Sequence, residues 1–191
     1  MIDDLKIYIE NEINSINKLD FEIIHSEENN LLKKYKNDDK LINIYDFTCI
    51  LEKEPSFYKD FFWDIDRMKD LNKNIIKNIE IIYKDDNKMC INTLFSFITK
   101  NISLKEISRK EELFLIKKSE NQYIIYGNLL KNQNKDKTHK IEEGFSYLSI
   151  GKYGSKTIIK VITKYKLKLP SIFKSIQHHL FLRTLIKIKN L

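Results

Sequence analysis

The end of the chain constrains its fold more than any other part. In residues 155–169 (SKTIIKVITKYKLKL), Thr157, Ile159, Val161, Thr163, Tyr165, Leu167 and Leu169 fall on one face, while Lys160, Lys164, Lys166 and Lys168 fall on the other. A period of two is the pattern of an antiparallel strand with one face on a core and the other in water. Pro170 stops the ladder and suits the first turn of a helix. Residues 171–189 (SIFKSIQHHLFLRTLIKIK) then run on without Gly or Pro. A strand, a proline and one long closing helix are therefore predicted in that order. Such a helix is about 28 Å long at ~1.5 Å per residue, close to the width of about six or seven strands spaced ~4.8 Å apart. A strongly bent sheet gripping that helix leaves a space lined by Ile, Leu, Phe and Tyr, so an apolar tunnel is predicted.

The 191 residues suit one domain with a substantial core, spanning 1–191. The formal charge of +7 is uneven: residues 144–191 hold ten Lys or Arg and no Asp or Glu, which leaves 24 cations against 27 acids, about −3, in residues 1–143. The basicity belongs to one end. Cys49 and Cys90 lie in apolar strand-like runs, which predicts buried thiols in a reducing compartment and no disulfide framework. The start, MIDDLKIYIENEI, is acidic and amphipathic, and no stretch reaches the ~18 apolar residues of a membrane span. The expectation is a cytoplasmic protein, transiently associated with membranes, without metal or cofactor.

Ile2, Leu5, Ile9, Ile13 and Ile16 make a narrow apolar stripe, so residues 1–19 read as a helix on the outside of the fold. Phe21–His25, Leu31–Tyr35 and Lys40–Leu51 read as three strands. Glu54-Pro55-Ser56 opens an aromatic helix or pair of helical turns over Phe57–Met68. Ile79, Ile81 and Tyr83, a turn at Asp85-Asp86-Asn87, then Met89, Ile91, Thr93, Phe95 and Phe97 signal a hairpin. Thr99–Ile107 reads as a loop. Glu111–Lys117, Gln122–Asn128, Ile141–Ile150 and Ser155–Leu169 add four strands, with Lys131–Lys140 a solvated loop. The total is about nine strands.

This order resembles that of START lipid-transfer domains, members of the wider Bet v 1-like helix-grip group. Phe62-Trp63-Asp64-Ile65-Asp66-Arg67-Met68 is similar to the family's Trp-Asp-x-(Asp/Glu)-x-Arg segment. Glu143–Ile150, the turn Gly151–Lys156, Thr157 opening the last strand and Leu169-Pro170 resemble the family's closing section. Where the family often has an Arg-Asp-Phe string, this chain offers Arg109-Lys110-Glu111-Glu112-Leu113, which retains a charge pair. The resemblance implies an α+β helix-grip fold in which a strongly curved antiparallel sheet wraps the C-terminal helix over 171–189. It also implies one lipid, with phospholipid the leading guess, held in the tunnel and carried between membranes without covalent chemistry.

Candidates for the ligand face are the inward aromatic and apolar residues Phe95, Phe97, Tyr126, Tyr147, Val161, Tyr165, Phe173, Leu180 and Phe181. Tunnel lining and ordinary core make the same demand on them, and both readings stay open. Polar residues inside apolar runs, Asn92, Thr163, Tyr165 and Gln177, are candidates for a lipid headgroup, because a buried polar group without a partner costs ~1–3 kcal/mol. Pairing among themselves is the alternative. Lys160, Lys164, Lys166 and Lys168 are candidates for docking an anionic membrane. Lys outnumbers Arg and no reader motif is present, which argues against nucleic acid. His178 and His179 diverge by ~100° on a helix and do not share a metal face. Asp64 and Asp66 abut Arg67 and Lys69 at a helix end and read as a cap or salt bridge rather than an acid–base pair. A non-enzymatic, monomeric lipid carrier is the leading expectation. A small-molecule-binding or cyclase-type enzyme of the same group, and a protein- or RNA-binding module with a basic face, are the alternatives.

Overall fold

The computed structural model describes residues 2–39, 41–73, 76–95, 98–99, 102–103, 107–130, 139–167, 187–188 and 190. Helix α1 (Ile2–Ile16) is followed by strands β1 (Phe21–Glu27), β2 (Asn30–Tyr35) and β3 (Ile42–Leu51). Helices α2 (Pro55–Trp63) and α3 (Ile65–Leu71) come next, then β4 (Ile76–Lys84) and β5 (Lys88–Phe95). Two short strands, β6 (Ile98–Thr99) and β7 (Ile102–Ser103), precede β8 (Ile107–Ser119), β9 (Gln122–Leu130), β10 (His139–Tyr153) and β11 (Lys156–Leu167).

The aromatic segment after β3 is a pair of helices because Asp64 interrupts it. Its backbone is extended, and its Oδ1 accepts from the backbone N–H groups of Asp66 at 3.0 Å and Arg67 at 3.2 Å. Its Oδ2 lies 3.2 Å from Arg67 Nε. That satisfies two of the orphan donors at the start of α3, so Asp64 is a cap, as its neighbours suggested.

Nine strands form one sheet in the order β1-β2-β3-β11-β10-β9-β8-β5-β4. The last strand sits in the middle: Thr163 faces Tyr45 of β3 on one side and Ser146 of β10 on the other. Beyond the end of β9, β10 meets β8 directly as a short parallel pair, His139 against Ile107 and Lys140 against Ser108, so the sheet curls closed over that end. Both outer edges carry bulges, in β1 between Ile23 and His25 and in β4 between Ile76 and Asn78 and again between Ile81 and Tyr83. Such bulges twist an edge away from regular pairing with another chain.

The inner face of the sheet is covered by α2 and α3. There Phe47, Cys49, Leu51, Ile125, Leu148, Ile150 and Ile159 pack with Tyr58 and Phe61. The chain's end also arrives there: Lys187 and Ile188 are helical, Ile188 is buried in this core, and Lys187 Nζ donates to the Leu71 carbonyl at the end of α3. An ammonium at that position complements the helix dipole. The closing helix expected over 171–189 otherwise lies outside the described residues.

The outer face is covered by α1. Ile9 and Ile16 are buried against Tyr35, Ile44, Phe114, Ile124, Tyr126, Phe145 and Ile162. This corrects the expectation that the lysine face of the last strand looks into water. Ile162 lies among those lysines and is completely buried. The segment expected as a loop from Thr99 to Ile107 opens on the β6–β7 pair, Thr99 against Ile102. Of the loop expected over Lys131–Lys140, His139 and Lys140 belong to β10, and 131–138 lie outside the described residues.

Candidate functional site

Among the described residues the inner face carries a linked group of polar side chains amid its apolar ones, built by four neighbouring strands. Arg109 and Glu111 stand two apart on β8 and so share a face. Across the sheet lie Gly127 on β9, Ser146 on β10, and Thr163 and Tyr165 on β11. Arg109 Nη2 pairs with Glu111 Oε2 at 3.1 Å, and Arg109 Nη1 donates to the Tyr165 hydroxyl at 3.3 Å. Ser146 Oγ donates to Glu111 Oε1 at 2.7 Å and also interacts with Tyr165. The four side chains close a ring.

The sequence makes room for this ring. A Cβ on Gly127 would overlap both Ser146 Oγ and Glu111 Oε1, so only glycine lets the two oxygens meet over β9. Gly144 next to it has φ of 150° and lies against the Lys164 carbonyl, where a side chain would clash. The Arg109 guanidinium lies over two aromatic rings, its central carbon 5.1 Å from the centroid of Phe95 and 5.6 Å from that of Tyr165.

Electrostatics follow from burial. Burial is the largest influence on Arg109 and works against its charge, but Glu111 and Tyr165 outweigh it and its pKa is raised. Burial pushes the Tyr165 hydroxyl up to about 12, with Arg109 partly opposing it. Glu111 is only 3% exposed and has each oxygen engaged, whereas Arg109 keeps 22% exposure. Among the described residues, Arg109 Nε and Thr163 Oγ1 are buried without a hydrogen-bond partner.

Of the residues singled out from the sequence, Phe95, Val161, Thr163 and Tyr165 are on the inner face, and the structure brings Phe95 and Tyr165 together around Arg109. Three do not belong there. Tyr126 and Tyr147 stack edge to face, 5.6 Å between centroids, on the outer face, where the Tyr126 hydroxyl donates to Glu10 of α1 at 3.0 Å. Asn92 points outward, opposite Ile91 and Thr93 of β5, and accepts from Ser108 Oγ at 3.0 Å. Phe97, Phe173, Gln177, Leu180 and Phe181 lie outside the described residues.

The lysines of the last strand are not a bare basic face. Lys160 lies 3.4 Å from Asp46, Lys164 pairs with Glu12 of α1, and Lys166 lies 3.6 Å from Asp39 and 3.8 Å from Glu143. Lys168 is outside the described residues. Among the described residues no cluster of His, Cys, Asp or Glu could hold a metal, and no helix is long and apolar enough to cross a membrane. Burial pushes the Cys49 thiol up to about 12, which removes it as a nucleophile at neutral pH.

The curled antiparallel sheet, its inner-face helices and its topology define the chain as an α+β protein of the START-like helix-grip fold. Among solved structures it is similar to human StAR-related lipid transfer protein 5 (TM-score 0.78, 12% identity, 99% of this chain and 94% of that one). It is also similar to a STAR-related lipid transfer protein fragment from Xanthomonas axonopodis (TM-score 0.74, 6% identity, 89% and 97%). A third is the human StarD13 lipid transfer and protein localization domain (TM-score 0.70, 13% identity, 97% and 95%). No protein-family model and no curated protein matches the sequence.

Proposed function

We propose that this chain binds one lipid against the inner face of its sheet and carries it between membranes as a cytoplasmic, monomeric protein. The observation that carries the reading is the inner face itself: an apolar surface that also carries a pre-formed polar ring, which gives an amphiphile a place for each of its ends. The names of the three similar structures support the same class. Binding of this kind needs no cofactor, because transfer from bilayer to protein exchanges one apolar environment for another.

The polar ring does not favour an enzyme. Arg109 stays protonated throughout the accessible pH range, and Glu111 spends both oxygens on fixed partners, so neither is poised to move a proton. The lysines of β11 do not support membrane docking by a free basic face, since carboxylates lie beside Lys160, Lys164 and Lys166. The test is native mass spectrometry of the purified protein before and after incubation with vesicles. About one lipid per chain is expected. A chain that neither retains nor takes up lipid would overturn the reading.

A further inference from the structure

We infer that the outer face of the sheet is a docking surface for an anionic bilayer, and that α1 is its built-in cover, displaced when the protein meets a membrane. The inference rests on the carrier reading above, which calls for contact with membranes and leaves the face that makes it unassigned. A basic face covered by the chain's own acidic helix differs from a free one.

The surface under α1 is the first reason. Phe114, Tyr126, Phe145, Tyr147 and Ile162 form an apolar floor there, and Lys118 and Lys164 reach the helix beside it. Aromatic rings bearing hydroxyls, next to lysines, suit the zone between acyl chains and anionic headgroups. The second reason is the chemistry of the present occupant. Helix α1 carries Asp3, Asp4, Glu10 and Glu12 against Lys6 alone, a net charge of −3. Residues two apart on a helix project about 200° from each other, so Glu10 and Glu12 leave α1 on opposite flanks. Glu10 Oε1 accepts from the Tyr126 hydroxyl at 3.0 Å and lies 3.9 Å from Lys118 Nζ, while Glu12 pairs with Lys164. Ile9 fills the floor between them. The two carboxylates thus stand where lipid phosphates would stand, and Ile9 where an acyl chain would.

The third reason is how lightly α1 is held. Of its 15 residues Ile9 and Ile16 are buried, whereas Ile7 and Tyr8 are 60% and 51% exposed. No basic residue in its last turn answers the helix dipole, and a helix of this length is marginal in water by itself. A bilayer offering phosphates and acyl chains together replaces what α1 supplies, and the departing helix takes its negative charge away from the docking face.

The test mixes the full chain with vesicles of phosphatidylcholine alone and of phosphatidylcholine with an equal part of phosphatidylserine. Binding is read by flotation, and the position of α1 by amide exchange. The native protein is expected to float with the mixed vesicles, and there the amides of residues 2–16 should exchange faster than in solution while those of α2 and α3 do not. Equal binding to both vesicles, or binding with α1 still protected, would overturn the inference. Glu12→Gln and Lys164→Glu break the same pair and both loosen α1, but they differ at the membrane. Glu12→Gln frees Lys164 and should strengthen binding to the mixed vesicles about fivefold, the upper worth of one exposed ion pair. Lys164→Glu puts an acid on the docking face and should weaken binding below the native level. A rise in both variants, or in neither, would show that α1 does not mask this surface. If either variant fails to fold, the exchange pattern of the native protein decides the question. Lipid uptake measured in parallel separates the two readings: uptake without the α1 response overturns the docking face alone, and docking without uptake overturns the carrier reading alone.

Discussion

Gly127 shows how much a single position can carry. Its missing Cβ is the space in which Ser146 and Glu111 meet. Gly127→Ala should force them apart and destabilise the protein by about 1–3 kcal/mol, the cost of overpacking a filled interior, as read from urea unfolding. A control at Gly151, where an added Cβ meets only Ile158 at 4.0 Å, should move stability far less. Arg109→Met strands the Glu111 carboxylate in the interior and should cost about 3–5 kcal/mol, whereas the double change with Glu111→Leu should recover most of that loss. The sequence displayed part of this site. Thr163 and Tyr165 stand out as polar interruptions of a clean alternation. Arg109 stands out only through the charge pair retained at the family's Arg-Asp-Phe position; a strand begun at Glu111 excludes it, and only the longer β8 puts the two charges on one face. Ser146 and Gly127 carry no signal in one sequence, since small residues in strands have many uses.

Elements with one covered face were easy to read, and those with two were not. The alternation of β11 correctly separates its inner side chains from its lysines. In β9 and β10 both faces are apolar, because α1 covers one and the inner core the other. Period two then no longer says which side is inner, so Tyr126 and Tyr147, expected inside, lie on the outer face. Asn92 differs from these two: the alternation of its own strand sets it opposite Met89, Ile91 and Thr93. The role of α1 predicts two outcomes. Ile9, completely buried, should cost about 2–5 kcal/mol when changed to Ala. Lys164→Glu should repel Glu12 and loosen α1, seen as faster amide exchange across the helix, with α2 and α3 unaffected. At the start of α3, Asp64→Ala removes the cap and should cost about 1 kcal/mol.

At the scale of the whole molecule, several buried acids set a stability limit at high pH. Burial raises Tyr35 and Tyr165 from 10.0 to about 12, and Cys49 from 9.0 to about 12. A group whose folded pKa lies above its unfolded value contributes stability that is complete below the unfolded value and is lost as pH rises toward the folded one. Resistance to urea should therefore be flat near neutrality, begin to fall above pH 9 and fall steeply between pH 10 and 12. A loss centred below pH 8 would contradict this account. Bound lipid should shift the same curve upward by mass action, about 2.7 kcal/mol at a hundredfold excess over its Kd.

The place of β11 in the sheet also governs how the protein can be made. Leu51 of β3 pairs with Thr157, 106 positions further along the chain, and no earlier strand shares that edge. A ribosome adding about 5–20 residues per second needs roughly 5–20 s to cover that distance. Throughout that interval β1, β2 and β3 form a finished three-stranded fragment with one side open, displaying Tyr45, Phe47 and Cys49 next to unpaired backbone groups. The two permanent edges of the sheet are protected by their bulges, but this temporary edge has to stay regular in order to receive β11. The nascent chain, rather than the folded protein, is thus the form most in need of a chaperone, and that need should end when the last strand leaves the exit tunnel.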